Sequence, residues 1–99
     1  MLLICYDIAS DSLRSRVAQK LLEYGLERIN RSVFLGAPDE RETLELQTLL
    51  QGWMTRAGKP DDSLILLPVT ARQVQRMLVL GDNQFDVPAL TGDLQTVFC

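Results

Sequence analysis

Residues 26–36 read LERINRSVFLG. Ile29, Arg31, Val33 and Leu35 alternate with Arg28, Asn30, Ser32 and Phe34, and a period of two over that length predicts a strand. Its extent sets the topology, because the patterns on both sides of it read clearly as helices. Upstream, Ser10 and Asp11 are helix-start residues. Leu13, Val17, Leu21 and Tyr24 follow at helical spacing, and Gly25 stops the run as a C-terminal cap residue does. Downstream, Pro38 and Asp39 open a second helix, with Asp39 and Glu42 at capping-box spacing. Leu46, Leu49, Leu50, Trp53 and Ala57 form its apolar stripe. Acids (Asp39, Glu40, Glu42, Glu45) crowd its first turns and Arg56 and Lys59 close it, as the helix dipole favours. Gly58 and Pro60 end it.

Outward from these helices, MLLICYDI at 1–8 predicts a first strand. Leu2, Ile4, Tyr6 and Ile8 face one side, Met1, Leu3, Cys5 and Asp7 the other. Both sides are apolar up to Asp7, the pattern of a strand covered on both faces. Helices account for one cover, and a second copy of the chain is the obvious candidate for the other. DDSLILLPV at 61–69 predicts a third strand, with Asp61 and Asp62 capping and starting it. Residues 70–76 suit a short turn of helix, and Met77–Leu80 a fourth strand stopped by Gly81. GDNQFDVPALTGD at 81–93 is a loop by composition, and QTVF at 95–98 suits a short terminal strand. The expected order is β-α-β-α-β-β, an α/β sandwich with helices on one face. It matches the ferredoxin-like order only if 26–36 is itself long or bent. No repeat, linker or low-complexity tract divides the 99 residues, which form one domain.

The composition, 46% hydrophobic and 23% charged, is that of a globular protein. A formal net charge of −3 excludes a uniformly basic nucleic-acid binder, although partners feel local fields and not the sum. Residues 1–31 hold five bases (Arg14, Arg16, Lys20, Arg28, Arg31) and four acids (Asp7, Asp11, Glu23, Glu27), whereas the segment from Asp82 onward holds acids only. Cys5 and Cys99 make no disulfide framework or zinc spacing, which predicts a reducing cytoplasm. The first apolar run is too short and lacks the basic start of a signal peptide, and no stretch approaches a membrane span. The chain has no histidine. Imidazole-based nucleophilic and metal chemistry is thereby excluded, and catalysis would fall to carboxylates with a hard cation such as Mg²⁺.

Asp7 therefore stands out. A carboxylate at the carboxyl end of a strand lies where α/β folds place functional groups. It could contact the Ser10–Asp11 helix start, pair with an arginine, or bind a metal with a symmetry mate across a twofold axis. Arg14 and Arg16, on opposite flanks of the first helix's apolar stripe, join Arg28 and Arg31 as candidate phosphate contacts, since the arginine fork matches phosphate geometry. Tyr6, Tyr24, Phe34 and Trp53 sit within apolar patterns and are read as core or interface.

Together, YDI (6–8), LLEYG (21–25), RINRSVF (28–34) and DSLILLPV (62–69) resemble the Cas-two family of small CRISPR-associated proteins, over roughly the first 80 residues. The resemblance implies a ferredoxin-like homodimer whose two sheets face each other, the late strand around residues 97–98 joining the partner's sheet. It implies a nucleic-acid-binding scaffold that bridges Cas-one integrase dimers in spacer acquisition and holds double-stranded DNA. It also implies, as an alternative, a Mg²⁺-dependent endonuclease acting on RNA or DNA, and more remotely an RNA-cleaving toxin on the same fold. The family's strand-end aspartate matches Asp7, as metal ligand and catalytic residue, and its DNA-backbone arginines loosely match Arg14 and Arg16. Asn30 stands where many relatives have glutamine, and Leu35 where they often have an acid.

Overall fold

The computed structural model describes residues 1–81. Strand β1 (Leu2–Asp7) enters helix α1 (Asp11–Glu23) through a tight corner. Ser10 caps α1, its Oγ accepting from the Leu13 amide at 3.2 Å, a contact of a kind that contributes about 1 kcal/mol. Gly25, at φ 85°, ends the helix in the left-handed region that other residues enter at a cost. The capping box anticipated at α2 (Glu40–Ala57) is present in both directions: Glu42 N donates to Asp39 Oδ1 at 2.7 Å, and Asp39 N to Glu42 Oε1 at 3.0 Å.

The segment 26–36 is not one strand. It folds back at Arg31–Ser32 into a hairpin of β2 (Glu27–Asn30) and β3 (Val33–Gly36). Two interactions make the turn without glycine or proline. Asn30 Oδ1 accepts the Arg31 amide at 2.6 Å, and Ser32 O accepts the Tyr6 amide at 3.1 Å from the end of β1. The ladder carries one extra residue, Ile29, between the pairs Arg28–Phe34 and Asn30–Val33. With β4 (Ser63–Pro68) the sheet order is β2-β3-β1-β4, each neighbouring pair antiparallel. Splitting 26–36 thus turns the expected order into two interleaved β-α-β units, the ferredoxin-like arrangement.

One face of the sheet carries the helices. Leu2, Ile4, Tyr6 and Phe34 meet Leu13, Val17 and Leu21 of α1 and Leu46, Leu50 and Trp53 of α2 in one core cluster. Burying each of the larger side chains contributes about 1.5–3 kcal/mol before the cost of ordering the chain. Ala57, expected in the α2 stripe, is exposed, and Met54 packs against the core in the last turns of the helix.

The second face is covered in part by the chain itself. After β4, a short helix α3 (Ala71–Gln75) brings Val74 and Met77 against Ile29, Leu35, Leu3 and Val33. Residues 77–80 form no strand, a correction to the sequence reading. Met77 is drawn into this cluster, and Leu78 and Leu80 are left 84% and 86% exposed with no ladder partner among the described residues. Across the rest of this face Ile65 and Leu67, paired with Cys5 and Leu3, remain 55% and 50% exposed. The expected strand at 95–98 lies outside the described residues.

Candidate nucleic-acid interface

At the carboxyl end of β1 the sheet opens into a cavity of about 580 Å³. Asp7, Arg14, Arg28 and Arg31 line it, with Asn30, Ser32 and Ser15 between them. Each comes from a different device. Asp7 is the last residue of β1, and its neighbour across the ladder is Ser63 of β4. Arg14 projects from the first turn of α1 back toward the strand, where Nη1 donates to Ile8 O at 2.9 Å and to Ala9 O at 3.5 Å, while Nη2 pairs with Asp11. Arg28 lies over the Phe34 ring, 5.1 Å from its centre, which holds the guanidinium at the sheet's edge. Arg31 sits in the hairpin turn, and its carbonyl accepts from Tyr6 Oη at 3.4 Å.

The sheet order brings these together because β3, between β1 and β2, carries the hairpin turn back to the end of β1. Three arginines and one carboxylate thus line one opening at the end of the sheet, with hydroxyl and amide groups between them. That set suits oxyanions, which accept several hydrogen bonds from arginine forks.

Arg16 is elsewhere. Its guanidinium carbon is 4.3 Å from the centre of the Trp53 ring, on the flank of α1 that faces α2. The opposite-flank placement expected from the helical period is what separates it from Arg14.

The two structural roles open to Asp7 are filled by other residues. Ser10 caps α1 and Asp11 pairs with Arg14. No hydrogen bond or ion pair among the described residues engages the Asp7 carboxylate, which is exposed. Among the described residues no three His, Cys, Asp or Glu side chains gather closely enough to hold a metal ion.

Sequence reasoning missed Asp62. Its Oδ1 accepts the Ala9 amide at 3.0 Å and its Oδ2 the Lys59 amide at 2.9 Å. These bonds, the Lys59 one foremost, hold its carboxyl below the usual carboxylate value. The Asp-Asp pair before β4 signalled only a cap; Ala9 is far away in sequence.

The family model for CRISPR associated protein Cas2 matches residues 1–77. This chain belongs to that family. The CRISPR-associated endoribonuclease Cas2 of Korarchaeum cryptofilum is 32% identical over 83 residues, which cover 84% of this chain and 86% of that protein. The Aeropyrum pernix protein of the same name is 31% identical over 93 residues, 94% of this chain and 87% of its own length. The crystal structure of Streptococcus pyogenes Cas2 at pH 6.5 superposes with a TM-score of 0.67 over 81% of this chain and 98% of that one. At 21% identity it speaks for the Cas2 fold alone. No helix among the described residues is long and apolar enough to cross a membrane.

Proposed function

We propose that two copies of this chain pack sheet to sheet into a homodimer that serves CRISPR adaptation. The dimer would hold double-stranded DNA by its phosphates and bridge Cas-one integrase dimers during spacer acquisition in the cytoplasm. The observation that carries the reading is the cavity at the end of β1, where Arg14, Arg28 and Arg31 converge. Phosphate contacts of this kind position a duplex without reading its sequence. The open strip of Ile65 and Leu67 over Leu3 and Cys5 supports burial against a second copy, because exposed apolar sheet faces mark association surfaces. Arg16, over Trp53, adds a phosphate contact only if it leaves the ring.

A second reading, Mg²⁺-dependent endonuclease, is favoured by the unengaged Asp7 carboxylate and by the endoribonuclease names of the relatives. Mg²⁺ is commonly held by one or two carboxylates together with phosphate oxygens and waters. One chain offers Asp7 alone, so the donor set fits Mg²⁺ only when Asp7 of a second copy and a phosphate complete it. When bound, such an ion would polarise the phosphate and activate a water. The residues of this chain would then orient the phosphodiester: Arg31 and Arg28 on its oxygens, and Arg14 fixing the corner that follows Asp7.

Spacer integration in vitro with the cognate integrase tests both readings, comparing wild type with Asp7→Ala after both are confirmed as dimers. Equal integration supports the scaffold role. Loss of integration with the dimer and DNA binding intact assigns a metal-dependent step to Asp7.

A further inference from the structure

The peptide group joining Ile8 to Ala9 lies one residue beyond Asp7, and side chains grip it at both ends. Its N–H, on Ala9, donates to Asp62 Oδ1 at 3.0 Å. Its carbonyl, on Ile8, accepts from Arg14 Nη1 at 2.9 Å. Each gripping side chain is itself anchored. Asp62 Oδ2 accepts the Lys59 amide at 2.9 Å, and Lys59 O accepts the Asp62 amide at 2.9 Å. Arg14 is tied to Asp11 in the same turn of α1. Because the peptide group is planar, holding both its ends fixes the torsions at Ile8 and Ala9 that steer the chain from strand into helix. Asp7 stands on one side of that corner and Arg14 on the other.

We propose that Asp62 is a positioning residue for the site at the end of β1. It touches no phosphate; through the Ile8–Ala9 peptide it sets where Asp7 and Arg14 stand relative to Arg31. The inference rests on the reading of this cavity as a phosphate site. A residue needed only to cap the loop before β4 would be satisfied by Lys59, three positions away. Asp62 spends its other oxygen on an amide 53 residues distant.

The sign of the effect separates positioning from electrostatics. Removing an acid near a nucleic-acid site ordinarily tightens binding, because a repulsion of phosphate is removed with it. Loss of a positioning acid weakens it. The experiment is fluorescence anisotropy of a blunt DNA duplex binding to the full chain over a range of salt concentrations. The variants are Asp62→Ala, Asp62→Asn, Arg31→Ala, Arg14→Ala and the double variant of Asp62→Ala with Arg14→Ala. Asp62→Ala is expected to weaken binding about fivefold, the scale of one hydrogen bond, with the salt slope unchanged since every phosphate contact stays. Asp62→Asn, which keeps one acceptor, recovers part of the loss. The double variant loses less than the two single losses combined, because both side chains act on one peptide. If Asp62→Ala does not fold, Asp62→Asn carries the same comparison, read together with faster hydrogen exchange at the Ala9 amide. Unchanged or tighter binding in the folded Asp62 variants, with Arg31→Ala weakened, overturns the assignment while leaving the cavity reading in place. Unchanged affinity and slope in Arg31→Ala overturns the cavity reading and the Asp62 assignment with it.

Discussion

The Arg16 guanidinium covers the ring of Trp53, its carbon 4.3 Å from the ring centre, and so joins the exposed flank of α1 to the buried stripe of α2. Arg16→Ala is expected to lower the unfolding free energy by about 0.5–1 kcal/mol, the scale of a cation–π contact near solvent. Urea unfolding measures this. The same variant titrated with salt against duplex DNA should keep most of the wild-type slope. A slope flattened as far as in Arg31→Ala would mean that Arg16 leaves the ring to meet a phosphate.

Arg31, at the tip of the hairpin, makes no ion pair among the described residues. Arg31→Ala should weaken duplex binding by a similar factor for unrelated sequences. The log–log salt slope should fall by about 0.9 for each phosphate that is no longer neutralised. Sequence-dependent losses would point instead to base contacts near the turn.

On the second face of the sheet, Leu67→Glu places a charge in the strip beside Leu3. Burying that charge against a second copy would be costly, so if the proposed sheet-to-sheet dimer forms, sedimentation should show it for the wild type and a folded monomer for Leu67→Glu. A dimer of wild-type affinity would move the interface away from this face.

Asp62 links acidity to stability in a defined direction. The Lys59 and Ala9 amides lower its folded-state value below the usual 3.8. A carboxylate depressed in this way stabilises the fold above its unfolded value and loses that contribution as pH falls through the folded value. As pH falls through the unfolded and then the lower folded value, wild type should therefore lose stability more steeply than Asp62→Asn. Parallel curves in urea unfolding at a series of pH values would contradict this.

Gly36 ends β3 directly under the start of the hairpin's other arm. A Cβ there would stand 2.9 Å from both Cα and Cγ of Leu26. Gly36→Ala should cost about 1–3 kcal/mol by overpacking, read as a lower thermal midpoint. A neutral effect would show that Leu26 can move aside.

The parts of this molecule legible in the sequence are those made by near neighbours. Ser10, Gly25, the Asp39–Glu42 box and the alternation in β1 act over a few residues, and each is found in place. The hairpin is hidden because its turn has neither glycine nor proline, and depends partly on the Tyr6 amide reaching Ser32. The gathering of Arg14, Arg28 and Arg31 beside Asp7 follows only once that hairpin folds back. Asp62 is hidden for the same reason: its distant partner is a backbone amide, which no residue type announces. Arg16 is legible as lying on the other flank from Arg14, but its partner Trp53 belongs to a different helix.

The extra residue at Ile29 gives the β2–β3 hairpin a reserve of length. Arg28 already faces Phe34 and Asn30 already faces Val33, so the ladder is in step on both sides of it. Excising Ile29 would close the strand in its present register, keep Arg28 over Phe34, and take one side chain from the second cluster. The strand that ends in Asp7 has no slack. It pairs without interruption with β4 along its whole length and with β3 from Leu2 to Cys5, and a one-residue loss there would turn Asp7 to the opposite face. Insertions and deletions are thus absorbed at the sheet's outer edge, and the central strand admits none.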